Sequence, residues 1–254
     1  MSICLESSWL LTKRKLYRYD IAAAVRWQPL ATGTYFTSCL TQCTFLSRDT
    51  VLTAGTDGHT VLWPVSPEMI LPSGSPSSTL AVEWEQPTRL HQSSSKTLSS
   101  HRLHNEDLLT VSGGDDGSLA LLLTTSTSSN STSATTSTYA SPPLLLSRAH
   151  ASAVTACAII SNQSRIFVLT SGNDEWVRLW ELFVKESPRG KSGNEASRDQ
   201  GDILEIRRLK KVKTNVADVS CMSILDTEKG GFGARVLICG VGMEVVRIEW
   251  EADH

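Results

Sequence analysis

The chain has 254 residues, 24 Lys and Arg against 26 Asp and Glu, a net charge of −2, 40% hydrophobic residues and 20% charged ones. That balance excludes a collagen-like, wholly disordered or strongly basic protein, and it supplies no bulk field to hold a nucleic acid, so RNA contact needs a local patch or a partner. The length suits one large all-β domain or two modest domains.

In chain order, residues 1–30 read as a strand-like remnant of a preceding unit, "WLLTKRKLYRYDI", with a basic cluster at Lys13, Arg14, Lys15 and Arg18. From 31 to 254, short runs rich in Val, Ile, Leu, Thr and Trp alternate with Gly/Asp pairs, the pattern of β-hairpins. "TSCLTQCTF" alternates, which puts Cys39 and Cys43 on one face of a strand. Three stretches break the pattern with Pro, Gly, Ser, Thr or charge: 64–87, 124–143 and 186–202. They read as disordered surface insertions. The longest nearly apolar run, Leu119 to Leu123, is far short of the ~20 residues of a membrane helix, and no charged-then-apolar leader opens the chain. A cytoplasmic protein with no membrane partner is the expectation. Cys4, Cys39, Cys43, Cys157, Cys221 and Cys239 are too scattered for a secreted disulfide framework and read as reduced, mostly buried thiols.

Self-similarity organises the rest. "VLTAGTDGHTVLW", "LLTVSGGDDGSLALL" and "VLTSGNDEWVRLW" each give a strand, a turn carrying Asp57, Asp116 or Asp174, and a second strand. A large apolar residue falls six positions after the Asp (Trp63, Leu122, Trp180), and a hydroxyl falls four before it (Thr53, Ser112, Thr170). A histidine stands about 25 residues upstream twice, at His91 and His150; the first window has Gly33 there instead. A fourth window, "VLICGVGMEVVRIEW", places Gly242 where the Asp would be and Ile238 in place of the hydroxyl.

This arrangement resembles the Asp–His–Ser/Thr–Trp tetrad of WD-repeat β-propellers, whose hydrogen bonds tie a four-stranded blade together across its strands. The resemblance implies an all-β, partial propeller of about four to five blades spanning 31–254. The third window, with His150, Thr170, Asp174 and Trp180, is the complete copy. An unrelated β-sandwich with similar hairpins is the alternative.

No catalytic constellation emerges. His150, Asp174 and Thr170 fit a strand-linking network better than a nucleophilic triad, since no G-x-S-x-G elbow is present. His101, His104, Glu106 and Asp107 lack a third ligand at metal spacing and read as a solvated loop. Gly230-Gly231-Phe232-Gly233 leads to Arg235 and a strand, not to a P-loop lysine and helix. Arg207, Arg208, Lys210, Lys211 and Lys213 form the second basic cluster. It reads either as the charged edge of a sheet or as a contact for RNA phosphates or an acidic partner.

Towards the carboxyl end, Ala149-His150, Val216-Ala217-Asp218 followed by Cys221, and Cys239 to Val245 resemble the regulatory WD-repeat subunit of the tRNA wobble-position 2′-O-ribose methyltransferase. "HQSSSKTL" followed by "SGGDDGSL" is similar to that family's preceding blade. The resemblance implies a non-catalytic adaptor for a tRNA methyltransferase subunit, reaching tRNA indirectly or through basic patches. It implies no cofactor on this chain, since the partner enzyme would bind S-adenosylmethionine. Members of that family are several times longer, so the sequence reads as part of a longer protein. A generic WD-repeat interaction scaffold, in trafficking or ubiquitin transfer, is the alternative.

Overall fold

The computed structural model describes residues 7–12, 15–20, 29–36, 39–47, 50–65, 80–104, 107–128, 135–139, 141–162, 165–185, 204–227 and 233–250, and all regular structure among them is β. β1 (Ser7–Thr12), β2 (Lys15–Asp20) and β3 (Pro29–Thr34) pair antiparallel. β4 (Leu40–Ser47), β5 (Thr50–Gly55) and β6 (His59–Pro64) begin a second sheet. β7 (Leu80–Val82) returns to pair parallel with β3, and β8 (Glu85–Arg89) completes the second sheet against β6. The third sheet holds β9 (Ser95–Arg102), β10 (Leu108–Gly114), β11 (Leu119–Ser128) and β12 (Thr135–Tyr139), with β13 (Leu144–Leu146) also on β11. The fourth runs in order through β14 (Val154–Asn162), β15 (Arg165–Gly172), β16 (Trp176–Val184) and β17 (Leu204–Lys213). β18 (Ala217–Thr227) and β19 (Gly233–Glu249) make the last sheet.

Alternation along the strands sends side chains to both faces, and each face packs on a neighbouring sheet, so the central strands bury nearly every residue. Leu109, Val111, Leu119 and Leu121 of the third sheet meet Val168, Trp180 and Leu182 of the fourth. Phe167, Leu169, Val177 and Leu179 of the fourth meet Val219, Val236, Ile238 and Ile248 of the fifth. Such serial stacking of antiparallel sheets is the build of a partial β-propeller.

The tight turns follow one backbone plan. The residue after each turn aspartate has positive φ: Gly58 (77°), Gly117 (73°) and, in the fourth sheet, Glu175 (61°). Glycine adopts this conformation freely, whereas a residue with a Cβ is strained by roughly 1–2 kcal/mol.

The structure corrects several expectations. β1, β2 and β3 supply three strands of a four-stranded sheet whose fourth member is β7. The segments 64–87 and 124–143 carry β7, part of β8, the end of β11 and β12. Main-chain pairing such as Thr124 with Tyr139 and Ser128 with Thr135 holds the Ser/Thr-rich run as a ladder, because β-branched Thr suits strands despite its polarity. Residues 186–202 lie outside those described. The fourth window is one strand, β19, with Gly242 (φ 108°) inside it. The thiols are not mostly buried: Cys157 is, but Cys43 and Cys221 are exposed, and Cys4 lies outside the described residues. His101 sits on β9 and Asp107 is buried, so those two do not belong to a solvated loop, while His104 is exposed in a turn and Glu106 lies outside the described residues.

Candidate functional site

In the fourth sheet the polar chain runs from turn to core. Asp174 Oδ1 accepts from His150 Nδ1 at 2.8 Å, His150 Nε2 lies 2.8 Å from Thr170 Oγ1, and Trp180 Nε1 donates to the same oxygen at 2.8 Å. The donor logic selects one arrangement. The carboxylate requires a proton on Nδ1, Nε2 then accepts from the threonine hydroxyl, and the hydroxyl oxygen accepts from the indole. Asp174 also takes the backbone N–H of Ala151 (3.0 Å) and of Trp176 (3.3 Å). Arg178 Nη2 reaches it at 2.8 Å, and Arg178 Nη1 donates to the Ala149 carbonyl. Burial pushes the His150 imidazole below its ordinary pKa, against the pull of Asp174. Burial works to raise Asp174, yet the hydrogen bonds from His150 and Ala151 and the charge of Arg178 hold it below the usual carboxylate range.

The other sheets vary this theme. In the third, His91 Nε2 lies 2.9 Å from Ser112 Oγ, but Nδ1 meets Ser118 Oγ at 2.7 Å, and Asp116 lies farther off at 3.6 Å. Ser118 therefore relays between imidazole and carboxylate through its own hydrogen bond to Asp116. Leu122 fills the tryptophan position with a purely apolar contact against Leu90 and Ala120. In the second sheet Trp63 Nε1 donates to Thr53 Oγ1 at 2.8 Å, and Asp57 takes the N–H of His59 at 3.1 Å. Tyr35 is buried near the same turn; burial and the neighbouring Asp57 carboxylate, as charge and hydrogen-bond acceptor, raise its pKa. Gly33 leaves room for the Trp63 ring, since a Cβ there would come within 2.2 Å of it.

In the last sheet Glu244, not Gly242, takes the acid's place. It accepts from Thr214 Oγ1 at 2.7 Å and from the Asn215 N–H at 2.8 Å, as Asp174 does from His150 and Ala151. Trp250, six residues on, packs on Phe167 with ring centroids 4.7 Å apart. The same six-residue spacing that links Asp174 to Trp180 picks out Glu244 from Trp250 in the sequence. Tyr35 and Ser118 carry no such signal, because tyrosine is not a residue type of the tetrad and Ser118 stands two residues after the aspartate, where the tetrad hydroxyl stands four before it.

The basic cluster lies on β17, the outer strand of the fourth sheet, and all five side chains are exposed. Arg207 Nη2 pairs with the buried Glu181 at 2.6 Å and its guanidinium covers the Phe183 ring. Lys211 lies 4.5 Å from the Trp176 ring centroid, Lys213 is 3.4 Å from Glu175, and Lys210 Nζ donates to the Glu249 carbonyl at 3.4 Å. Intramolecular contacts thus engage four of the five, and Arg208 stands exposed. Among the described residues no three His, Cys, Asp or Glu side chains group as a metal site, and no helix is long and apolar enough to cross a membrane.

Residues 142–181 match the WD40 family, described as "WD domain, G-beta repeat". The match spans β13 to β16 and ends just past Trp180, so it contains the complete tetrad. The chain carries a WD repeat within a partial propeller. A solved structure titled "Crystal structure of the computationally designed Ika4 protein" is similar in fold, with a TM-score of 0.52 at 17% identity over 88% of this chain and 99% of that one. No curated protein matches the chain.

Proposed function

We propose that this propeller is a protein-interaction scaffold, and more narrowly an adaptor that binds a tRNA 2′-O-ribose methyltransferase and supports methylation of the anticodon wobble nucleotide. The observation that carries the scaffold reading is the tetrad itself. Its titratable groups are buried and engaged with one another, so they stiffen a blade and leave the propeller surface for partners. The narrower reading rests on the resemblance of Ala149-His150, Val216-Ala217-Asp218 with Cys221, and Cys239 to Val245 to that enzyme's regulatory subunit. The exposed cations of β17, Arg208 foremost, suit RNA phosphate as an auxiliary contact. In this reading the partner enzyme supplies the S-adenosylmethionine site and the chemistry, while the rigid sheets orient enzyme and tRNA.

Co-expression of the chain with the methyltransferase, pull-down, and mapping of wobble 2′-O-methylation after deletion test the proposal. Stable capture with loss of the modification is expected. Absence of capture with unchanged methylation refutes the adaptor role, and an affinity purification returning trafficking or ubiquitin-transfer complexes instead would establish the broader scaffold.

A further inference from the structure

The last sheet presents a pair of thiols on the face it turns away from the fourth sheet. In its antiparallel register Cys221 stands directly opposite Cys239, followed by Met222 opposite Ile238, Ser223 opposite Leu237 and Ile224 opposite Val236. Met222, Ile224, Val236 and Ile238 pack into the core shared with the fourth sheet. Side chains alternate along a strand, so the two cysteines share the other face. Both are free thiols, Cys221 exposed and Cys239 half-buried. The same face carries exposed Leu225, Val241, Met243 and Val245. Exposed Arg247 and Glu249, 3.1 Å apart, stand three and one residues before Trp250, at the positions that Val177 and Leu179 occupy before Trp180.

Directly opposed residues of an antiparallel pair have Cα atoms about 4.5 or 5.5 Å apart, depending on the rung. Both spacings fall inside the roughly 4.4–6.8 Å that a disulfide spans, so the opposed pair stands within bridging reach. We propose that Cys221 and Cys239 form an oxidative modification site that takes a peroxide and yields a reversible cross-strand disulfide fastening β18 to β19. The Cys221 thiolate, the more accessible, attacks one peroxide oxygen; the O–O bond breaks, the sulfur becomes a sulfenic acid, and the other oxygen leaves as water after protonation. The Cys239 thiol then attacks that sulfur, the S–S bond forms, and the hydroxyl leaves as a second water with the Cys239 proton. Two thiols and one peroxide thus give one disulfide and two waters, and a dithiol reductant reverses the change.

No other described cysteine stands opposite a second one in a strand ladder. Cys157 is opposite Thr170, buried, and its thiol is pushed up to about 12 by burial; Cys43 is exposed but stands opposite Thr53, and Cys39 precedes β4. The site rests on strand register alone and stands or falls independently of the methyltransferase reading.

The full chain, reduced, freed of reductant and exposed to equimolar hydrogen peroxide, is then alkylated and mapped. Trypsin separates Thr214–Lys229, holding Cys221, from Val236–Arg247, holding Cys239. The expected result is a chain about 2 Da lighter with these two peptides joined, released by dithiothreitol. Cys43→Ser retains the link, and Cys239→Ser abolishes it, leaving Cys221 trappable by a sulfenic-acid probe. Recovery of both peptides alkylated and unlinked, or joined only to other cysteines or between chains, overturns the proposal; the wild-type map decides even if a variant fails to fold.

Discussion

Replacing Asp174 with Ala removes the acceptor on which the fourth sheet's polar chain hangs. Four donors lose their partner: His150 Nδ1, Arg178 Nη2 and the N–H groups of Ala151 and Trp176. Water reaches the exposed Ala151, so its N–H costs little. The His150 side chain is fully buried and that of Arg178 is only 10% exposed, so these two dominate. An unsatisfied buried donor costs about 1–3 kcal/mol, and Arg178 keeps its bond to the Ala149 carbonyl, which places the total near 2–4 kcal/mol. For a domain of this size that lowers Tm by roughly 4–16 °C. Asp57→Ala is the internal control. Its carboxylate takes one backbone N–H, faces the Tyr35 phenol and sits beside a partly exposed His59, with no buried imidazole or guanidinium hanging on it, so the loss is smaller, about 1–2 kcal/mol. Thermal and urea melts of the full chain, followed by far-UV circular dichroism and tryptophan fluorescence, measure both. Equal shifts for the two variants, or an unchanged midpoint for Asp174→Ala, would refute the assignment of the fourth sheet as the tightly networked blade.

Acid sensitivity follows from the buried histidines. His91 and His150 have folded pKa values lowered by burial, so the unfolded chain binds more protons below an ordinary histidine pKa of about 6.5. Stability is therefore full above that value and declines as pH falls through it, with Asp116 and Asp174, lowered in the fold, adding a further loss in the carboxylate range. Melts from pH 8 to pH 5 are expected to show the first decline, and His150→Gln to reduce its slope; a flat profile contradicts it. Glu175→Gly relieves a strained φ while giving up an exposed ion pair with Lys213, and is expected to raise stability by about 0.5–1 kcal/mol in urea melts. A destabilised variant would show that the turn conformation carries no strain.

Much of this architecture was legible before any coordinates. Hydrophobic alternation broken by Asp and Gly marks the central strand pairs of three sheets, and the offsets among hydroxyl, Asp and Trp point to the groups that meet in the fourth. Polarity misled where main-chain pairing outweighed composition. Thr-rich residues look like linker, yet β12 pairs along β11 because a ladder requires backbone bonds and tolerates polar side chains. The fourth window carries glycine at the aspartate's offset, whereas the carboxylate that replaces the aspartate is one with a longer reach, Glu244.

The sequence by itself determined the β repeat, its spacing and the polar groups that must be buried together, because these depend on neighbours within one hairpin. Only the tertiary structure decided which further residues meet the turn aspartates. Tyr35 reaches Asp57 and Ser118 bridges His91 to Asp116 because distant segments meet at the turns, and no local pattern encodes that meeting. The same holds for the β17 cations, which contacts with Glu181, Trp176, Glu175 and Glu249 tie to the fold, and for Cys221 and Cys239. Eighteen positions apart in the chain, these two thiols become opposed only when β18 and β19 pair in register.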